Sequence, residues 1–429
     1  MINSPNLYAN LHEFLLTDYL HARKSNSLMT LIGYMENAPS FGSPNVFLMI
    51  RPRGFGLSLG IEAIYSVITR DKRYQEREHD EELITKLKLP HCQVLTLNLK
   101  KFTAQTPAEF AASLIALLQE AYWENHVSGP LTSYTTPKTY FANLIEAVAG
   151  RAGHKVALLI DNYDIPFMIA SAMDENIRTE AISTYLEMLN VIKHSENSLR
   201  WALLSGHAKF SLASELSEGL PLVHDLSREP AYETLFGFTR EEVEQVFGTE
   251  IRKVAPHQGT SYTDYLYSLE HSYGGFTFSD NMVKVMCPAC INHALTNDGM
   301  LYTYSANGNY RFLARALSAR NTRLDWLFDR DGQDPLFGSS ITLQPKGAQL
   351  GSLLLQQGFA TVDKFTEHLN QGISTWRYRY TCPNEDMRQT LMVVRGQIPI
   401  EQALRPIRPR IADARQDDYF DTEDIEPWA

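Results

Sequence analysis

Between residues 46 and 59 the chain reads VFLMIRPRGFGLSL: an apolar run of β-formers, a turn rich in Arg, Pro and Gly, then a serine. Ile61, Ile64, Tyr65 and Ile68 follow at the i, i+3, i+4, i+7 spacing of a helix face. Strand, glycine loop and helix start form the setting in which backbone N–H groups and a helix N-terminus cradle phosphate. Such a loop ends in Gly-Lys-Ser/Thr, because the lysine ammonium neutralises the β- and γ-phosphates. Here the same place reads Gly56-Leu57-Ser58. Leucine carries no charge, so the pattern is that of an anion loop without its main cation.

The same residues admit other chemistries. Gly56-Leu57-Ser58-Leu59-Gly60 fits G-x-S-x-G, the turn that presents a serine hydrolase nucleophile, and Asp161 and His207 follow in the order Ser, Asp, His. Against it, an elbow serine stands directly after its strand, whereas Arg51 to Phe55 intervene. Cys287-Pro288-Ala289-Cys290 with His293 supplies zinc-ligand types, but a structural site wants four ligands, and Cys92 and Cys382 are isolated. Core cysteines are the favoured reading. Trp376-Arg377-Tyr378-Arg379-Tyr380 alternates aromatic and basic side chains, as a base-stacking strip would. A half-buried strand explains it as well and is preferred.

Which elements position these groups? Gln93 to Leu97, Val156 to Ile160 and Trp201 to Leu204 are further short apolar runs, and helical patterns separate them. Val156 to Ile160 is continuously apolar, as a strand covered on both faces should be, and runs into Asp161-Asn162-Tyr163-Asp164. Trp201 to Leu204 ends in Ser205-Gly206-His207. Four such strands predict a parallel, doubly wound α/β core over 30–215, with its ligand off the carboxyl ends of the strands. Thr106-Pro107-Ala108-Glu109 and Thr239-Arg240-Glu241-Glu242 read as capping boxes. A helical segment over 1–29 precedes the core, with LHEFLLTDYLHA amphipathic within it. A small helical lid over 216–300 and a helical region over 301–412 follow it, with helices expected over 282–294, interrupted near Pro288, and from Val362 to Leu369. Residues 70–90 carry mixed charge, most simply a solvated face, and 413–429 read as a flexible acidic tail.

Composition narrows the class. With 39 Lys+Arg against 50 Asp+Glu the net charge is −11, which disfavours broad nucleic-acid binding. Four cysteines in 429 residues suit a reducing compartment rather than a disulfide scaffold. The N-terminus lacks the basic and apolar regions of a signal peptide, and no apolar run approaches the ~18 residues of a membrane span. A soluble, cytoplasmic protein with no membrane partner is expected, although a signal read by a specialised secretion apparatus leaves no trace in this test.

Several segments together resemble the bacterial AAA-ATPase-like proteins, P-loop NTPases often fused to a PD-(D/E)XK nuclease-like domain. Their loop reads RPRRFGK followed by Ser or Thr; here it is Arg51 to Ser58, RPRGFGLS. Their LIDEYD-P is similar to Leu159 to Pro166, LIDNYDIP, and the end of their fourth strand to Ser205 to Ser211. Their FGFTEEEV, DGYRF, QTGYLT and PNEEVR are similar to segments beginning at Phe236, Tyr273, Gln357 and Pro383. The shared order over roughly 45–395 makes the resemblance specific. The nuclease-like domain has no counterpart before the chain stops, so no nuclease activity is expected.

The resemblance implies roles residue by residue. Arg51, Arg53, Gly54, Gly56, Leu57 and Ser58 fall on the nucleotide-binding loop. Ser58 matches the Mg²⁺-ligating hydroxyl, and Asp161 the carboxylate that holds the metal's water shell. Asn162 stands where the family has a glutamate base; an amide orients water but does not take its proton. Losing a lysine and a carboxylate from a site that works by charge stabilisation removes orders of magnitude in rate. Arg51, Arg53 and Lys209 are the cations left to replace them, although surface or capping arginines and a solvated lysine are the plainer reading. The expectation is therefore a bacterial pseudo-ATPase with degenerate motifs, no required cofactor, and a protein partner. ATP and Mg²⁺ binding with slow hydrolysis is the alternative, and assembly into an oligomer is left open.

Overall fold

The computed structural model describes residues 24–38, 45–70, 85–86, 91–127, 136–212, 223–318, 340–370 and 373–407. Contacts divide the chain into two units. One comprises Met1–Ile50, Leu57–Ser227 and Ser340–Gln344; the other comprises Arg51–Gly56, Arg228–Ser339 and Pro345–Ala429. The amphipathic stretch at 11–22, most of the charged stretch at 70–90 and the acidic tail lie outside the described residues.

In the first unit the elements run α1 (Ser25–Asn37), β1 (Asn45–Ile50), α2 (Leu57–Thr69), β2 (Val94–Asn98), α3 (Pro107–Glu124), α4 (Pro137–Ala152), β3 (Val156–Asp161), α5 (Ile165–Ala170), α6 (Glu175–Asn190), β4 (Leu199–Gly206) and β5 (Val223–Asp225). The sheet order is β2-β3-β4-β1-β5, and every pairing is parallel. Parallel strands need crossover helices on the sheet faces, which is why the central strand β3 is apolar up to its terminal Asp161. All six residues of β3 are buried, and Val156 to Ile160 are fully so. Helix α2 packs on β2, β3 and β4, and α3 on β2. Strand β4 is tied to α1 by polar contacts: the Trp201 indole N–H donates to Glu36 of α1 at 3.0 Å, and Arg200 pairs with the same carboxylate. At α3 the Thr106 hydroxyl accepts from the Glu109 N–H, but the Glu109 carboxylate accepts from Gln105 instead of the cap residue.

The second unit contains α7 (Arg240–Val254), α8 (Tyr262–Tyr273), α9 (Pro288–Thr296), α10 (Arg311–Ser318), α11 (Ala348–Gln356), β6 (Thr361–Asn370), β7 (Ile373–Thr381), α12 (Glu385–Val394) and α13 (Ile400–Ala403). Helix α7 starts in the predicted capping box, with Thr239 and Glu242 reciprocally bonded. The loop residue Phe55 is buried here, edge-on to Phe276 at 4.8 Å and to Phe278 at 5.2 Å. Thr277 donates its N–H to the Thr361 hydroxyl at 3.0 Å, and the Asn384 amide donates to the Gly274 carbonyl at 2.7 Å. A Cβ on Gly275 would stand 2.3 Å from the Pro383 carbonyl oxygen, and φ there is +82°, so only glycine fits.

Three expectations are corrected. Val362 to Leu369 is not a helix: it lies in β6, antiparallel to β7. Val362, Phe365 and Leu369 mimic a helical period, but the hydrogen-bond ladder to Ile373–Thr381 outweighs that local pattern. Residues 282–294 are not one interrupted helix either. Val285 and Met286 make extended bridges to Phe276 and Phe238, and Pro288 occupies the first position of α9, where its missing N–H costs nothing. The parallel sheet has a fifth strand, β5, whose three residues are too few to show a pattern. In β7, Tyr378 and Tyr380 are buried, so those two rings are not offered for stacking.

Two outcomes test this packing. Phe55→Ala is expected to lower the unfolding free energy by about 3–5 kcal/mol, read from urea denaturation, because it empties a buried ring site. Asp386 is buried, and burial raises its carboxyl from 3.8 to about 6. A raised folded-state value favours the protonated form, so its stabilising effect is complete below pH 3.8 and is lost as pH rises to about 6. The stability difference between wild type and Asp386→Asn should therefore shift against wild type by about 3 kcal/mol across that window.

Candidate functional site

Asp161 ends β3, and its two oxygens collect donors from four places in the first unit. Oδ2 accepts from the Ser58 hydroxyl at 2.7 Å and, more weakly, from the Asn98 amide at 3.4 Å. Oδ1 accepts from the Ser205 hydroxyl at 2.7 Å and from the Asn162 N–H at 2.9 Å. Parallel register makes this possible: Asn98 is paired with Asp161 across β2 and β3, and β4 delivers Ser205 from the other side. Asp161 is 6% exposed, so each of these bonds matters to a carboxylate that water hardly reaches. Asn162 follows with φ at +59°, a left-handed conformation that asparagine tolerates better than most residues, and its side-chain amide donates to Asn98.

A second cluster lies at the end of β4. The Asp164 carboxylate accepts the His207 backbone N–H at 2.8 Å. Tyr163 donates its hydroxyl to the Ala208 carbonyl and accepts from the Phe210 N–H, while Tyr185 donates to the Tyr163 carbonyl. Burial pushes both phenols well above their ordinary range, so they act as neutral braces. The Lys209 ammonium lies 2.7 Å from Asp225 of β5, in a pair whose side chains are about one-fifth exposed.

The loop residues Arg51–Gly56 group with the second unit. Gly54 and Gly56 turn with φ of +84° and +75°. Arg51 is 1% exposed, donates to the Tyr232 carbonyl at 2.9 Å and lies over the Phe278 ring at 4.3 Å. Cation–π contact and a carbonyl acceptor offset its desolvation. Arg53 is half-buried, with its guanidinium carbon 5.9 Å from the Tyr310 ring centre.

Leu57 and Ser58 are the first two residues of α2. Leu57 is 4% exposed, a core side chain of the first unit, whereas Ser58 is exposed. Ser58 therefore stands in a helix and bonds a carboxylate, not on a strand-end turn beside an imidazole. A cavity of about 330 Å³ adjoins it, lined among others by Ser58, Glu62, Tyr65, Asn98, Glu124 and Asp161. Three carboxylates and no Lys or Arg line that space, so its field opposes an anion. Among the described residues no cluster of three or more His, Cys, Asp or Glu could hold a metal ion. Sequence reading brought Ser58, Asp161 and Asn162 together but missed Asn98. Extending the second strand by one residue to its carboxyl end would have found it.

The parallel sheet and the loop attached to it define an α/β, P-loop-like core. Residues 40–215 match the family described as AAA-ATPase_like, predicted AAA-ATPase, and this region is AAA-ATPase-like. An uncharacterized protein encoded in the vnfD 5′ region of Azotobacter chroococcum mcd 1 is 35% identical over 111 residues, which cover 26% of this chain. The matched part spans about a fifth (21%) of that relative's length. The Aeropyrum pernix ORC1 protein, solved in complex with DNA, aligns over 89% of this chain and 94% of its own, at 11% identity. The TM-score of that alignment is 0.30. Among the described residues no helix is long and apolar enough to cross a membrane.

Asp161→Ala should lower the unfolding free energy by about 3 kcal/mol in urea denaturation, because it strands two hydroxyls and an N–H that now donate to a charge. Unchanged or increased stability would show that the network does not brace the strand ends.

Proposed function

We propose that this chain is a pseudo-ATPase, an AAA-ATPase-like fold that acts by binding a protein partner and not by turning over ATP. The observation that supports it is Leu57, an apolar residue 4% exposed at the helix start where the family's loop has its lysine. Two of the cations that remain are engaged elsewhere: Arg51 with Tyr232 and Phe278, Lys209 with Asp225. Ser58 and Asp161 fit Mg²⁺ in kind, a hydroxyl beside a carboxylate, but the loop does not fit the charge of a triphosphate. Asn162 offers no proton acceptor of carboxylate strength. Trp123, 73% exposed on α3, and Tyr34, 46% exposed on α1, are the kind of aromatic surface that protein interfaces use.

A second reading, slow Mg²⁺-dependent ATP hydrolysis, draws on Arg53, whose guanidinium is in no ion pair among the described residues. Calorimetric titration with ATP and a non-hydrolysable analogue, with and without Mg²⁺, separates the two. Wild type is expected to give no binding heat and no phosphate release, and Leu57→Lys to gain binding if it folds. Tight binding with turnover by wild type, abolished in Arg53→Ala, would overturn the pseudo-ATPase reading in favour of the second.

A further inference from the structure

The Cys-Pro-Ala-Cys segment of the second unit has a specific geometry. Cys287 is the N-cap of α9, Pro288 its first residue, and Cys290 lies one turn on. The two sulfurs stand 3.0 Å apart, and both cysteines are free thiols. A shared tetrahedral zinc would hold two sulfurs roughly 3.8 Å apart, given Zn–S bonds of about 2.3 Å. A disulfide needs them at about 2.05 Å, a closure of roughly 1 Å. Cys290 is fully buried, and its sulfur lies 3.8 Å from the Asp386 carboxylate, which also accepts the N–H and hydroxyl of Ser305. Cys287 faces the Gly54 carbonyl at 3.5 Å.

We propose that Cys287 and Cys290 are a redox dithiol that a small hydroperoxide closes to an intramolecular disulfide, with Asp386 accepting the Cys290 proton. Cys287 sits at the helix end that favours negative charge and is the first nucleophile. Its sulfur attacks the hydroperoxide, the O–O bond breaks, and a sulfenic acid and an alcohol (water, from hydrogen peroxide) form. The Cys290 sulfur then attacks Cys287 Sγ; the S–O bond breaks, and the departing hydroxide leaves as water with the proton held by Asp386. Two thiols lose two electrons and two protons, and the peroxide is reduced. Burial raises the Cys290 thiol, so it needs a nearby base, and the Asp386 carboxyl, raised to about 6, is ionised at neutral pH yet basic enough to serve. Burial of both sulfurs restricts the oxidant to a molecule the size of hydrogen peroxide. Closure removes the S–H that faces Gly54, so the oxidised state alters the loop itself.

The full chain, reduced and then exposed to hydrogen peroxide, is quenched by alkylation in denaturant and digested with trypsin. Val285 to Arg311 forms one tryptic peptide holding both cysteines. It is expected unalkylated and two hydrogens lighter, restored by dithiothreitol, while Cys92 and Cys382 are alkylated. Cys290→Ser should stop at a sulfenic acid on Cys287 that dimedone, added with the denaturant, traps. Asp386→Asn, if its melt shows it folded, should slow closure roughly tenfold or more. The proposal fails if the folded wild-type peptide stays fully alkylated after peroxide, or if the reduced chain holds one zinc per chain that blocks closure.

Discussion

A single carboxylate organises the carboxyl edge of the sheet. Asp161 accepts from Ser58, Ser205, Asn98 and its own neighbour's N–H, so the ends of β2, β3 and β4 and the start of α2 are tied to one charge. All four donors are neutral, and each loses its partner if the carboxylate goes. Strand order makes the convergence geometric: β3 lies between β2 and β4, and the register sets Asn98 beside Asp161. Both carboxylate oxygens thus have protein donors.

The glycine loop carries a different constraint. Its arginine and phenylalanine, Arg51 and Phe55, are core side chains of the second unit, packed on Phe276 and Phe278. Segments far apart in the chain meet around them. Phe236 lies under Arg51, Thr361 bonds Thr277, and Asn384 bonds Gly274. The loop sequence is held as much by what it fills as by what it could bind.

Much of this was legible beforehand, and the misses have physical causes. The continuous apolar run Val156–Ile160 announced a strand buried on both faces, and Thr239 with Glu242 announced a helix start, because both signals are local. Strand β6 was not legible, since its apolar spacing fits a helix and only its partner β7 decides otherwise. The burial of Arg51 was equally hidden: an arginine beside Pro and Gly reads as exposed, and its cage comes from residues far along the chain. At the site, Leu57 and Asn162 could be read as departures from a pattern. The role of Asn98 depended on strand pairing, and the thiol–carboxylate contact of Cys290 and Asp386 on tertiary packing.

Because Phe55 and Arg51 belong to the aromatic core of a unit whose other members start at Arg228, that unit is discontinuous along the chain. During synthesis the ring of Phe55 leaves the ribosome long before Phe276 and Phe278 exist to cover it, and must wait in water or in a chaperone. A gene fragment beginning at residue 228 would encode this unit with a hole at its centre. A split of the protein into its two units has to carry Arg51 to Gly56 across the cut one way and Ser340 to Gln344 the other.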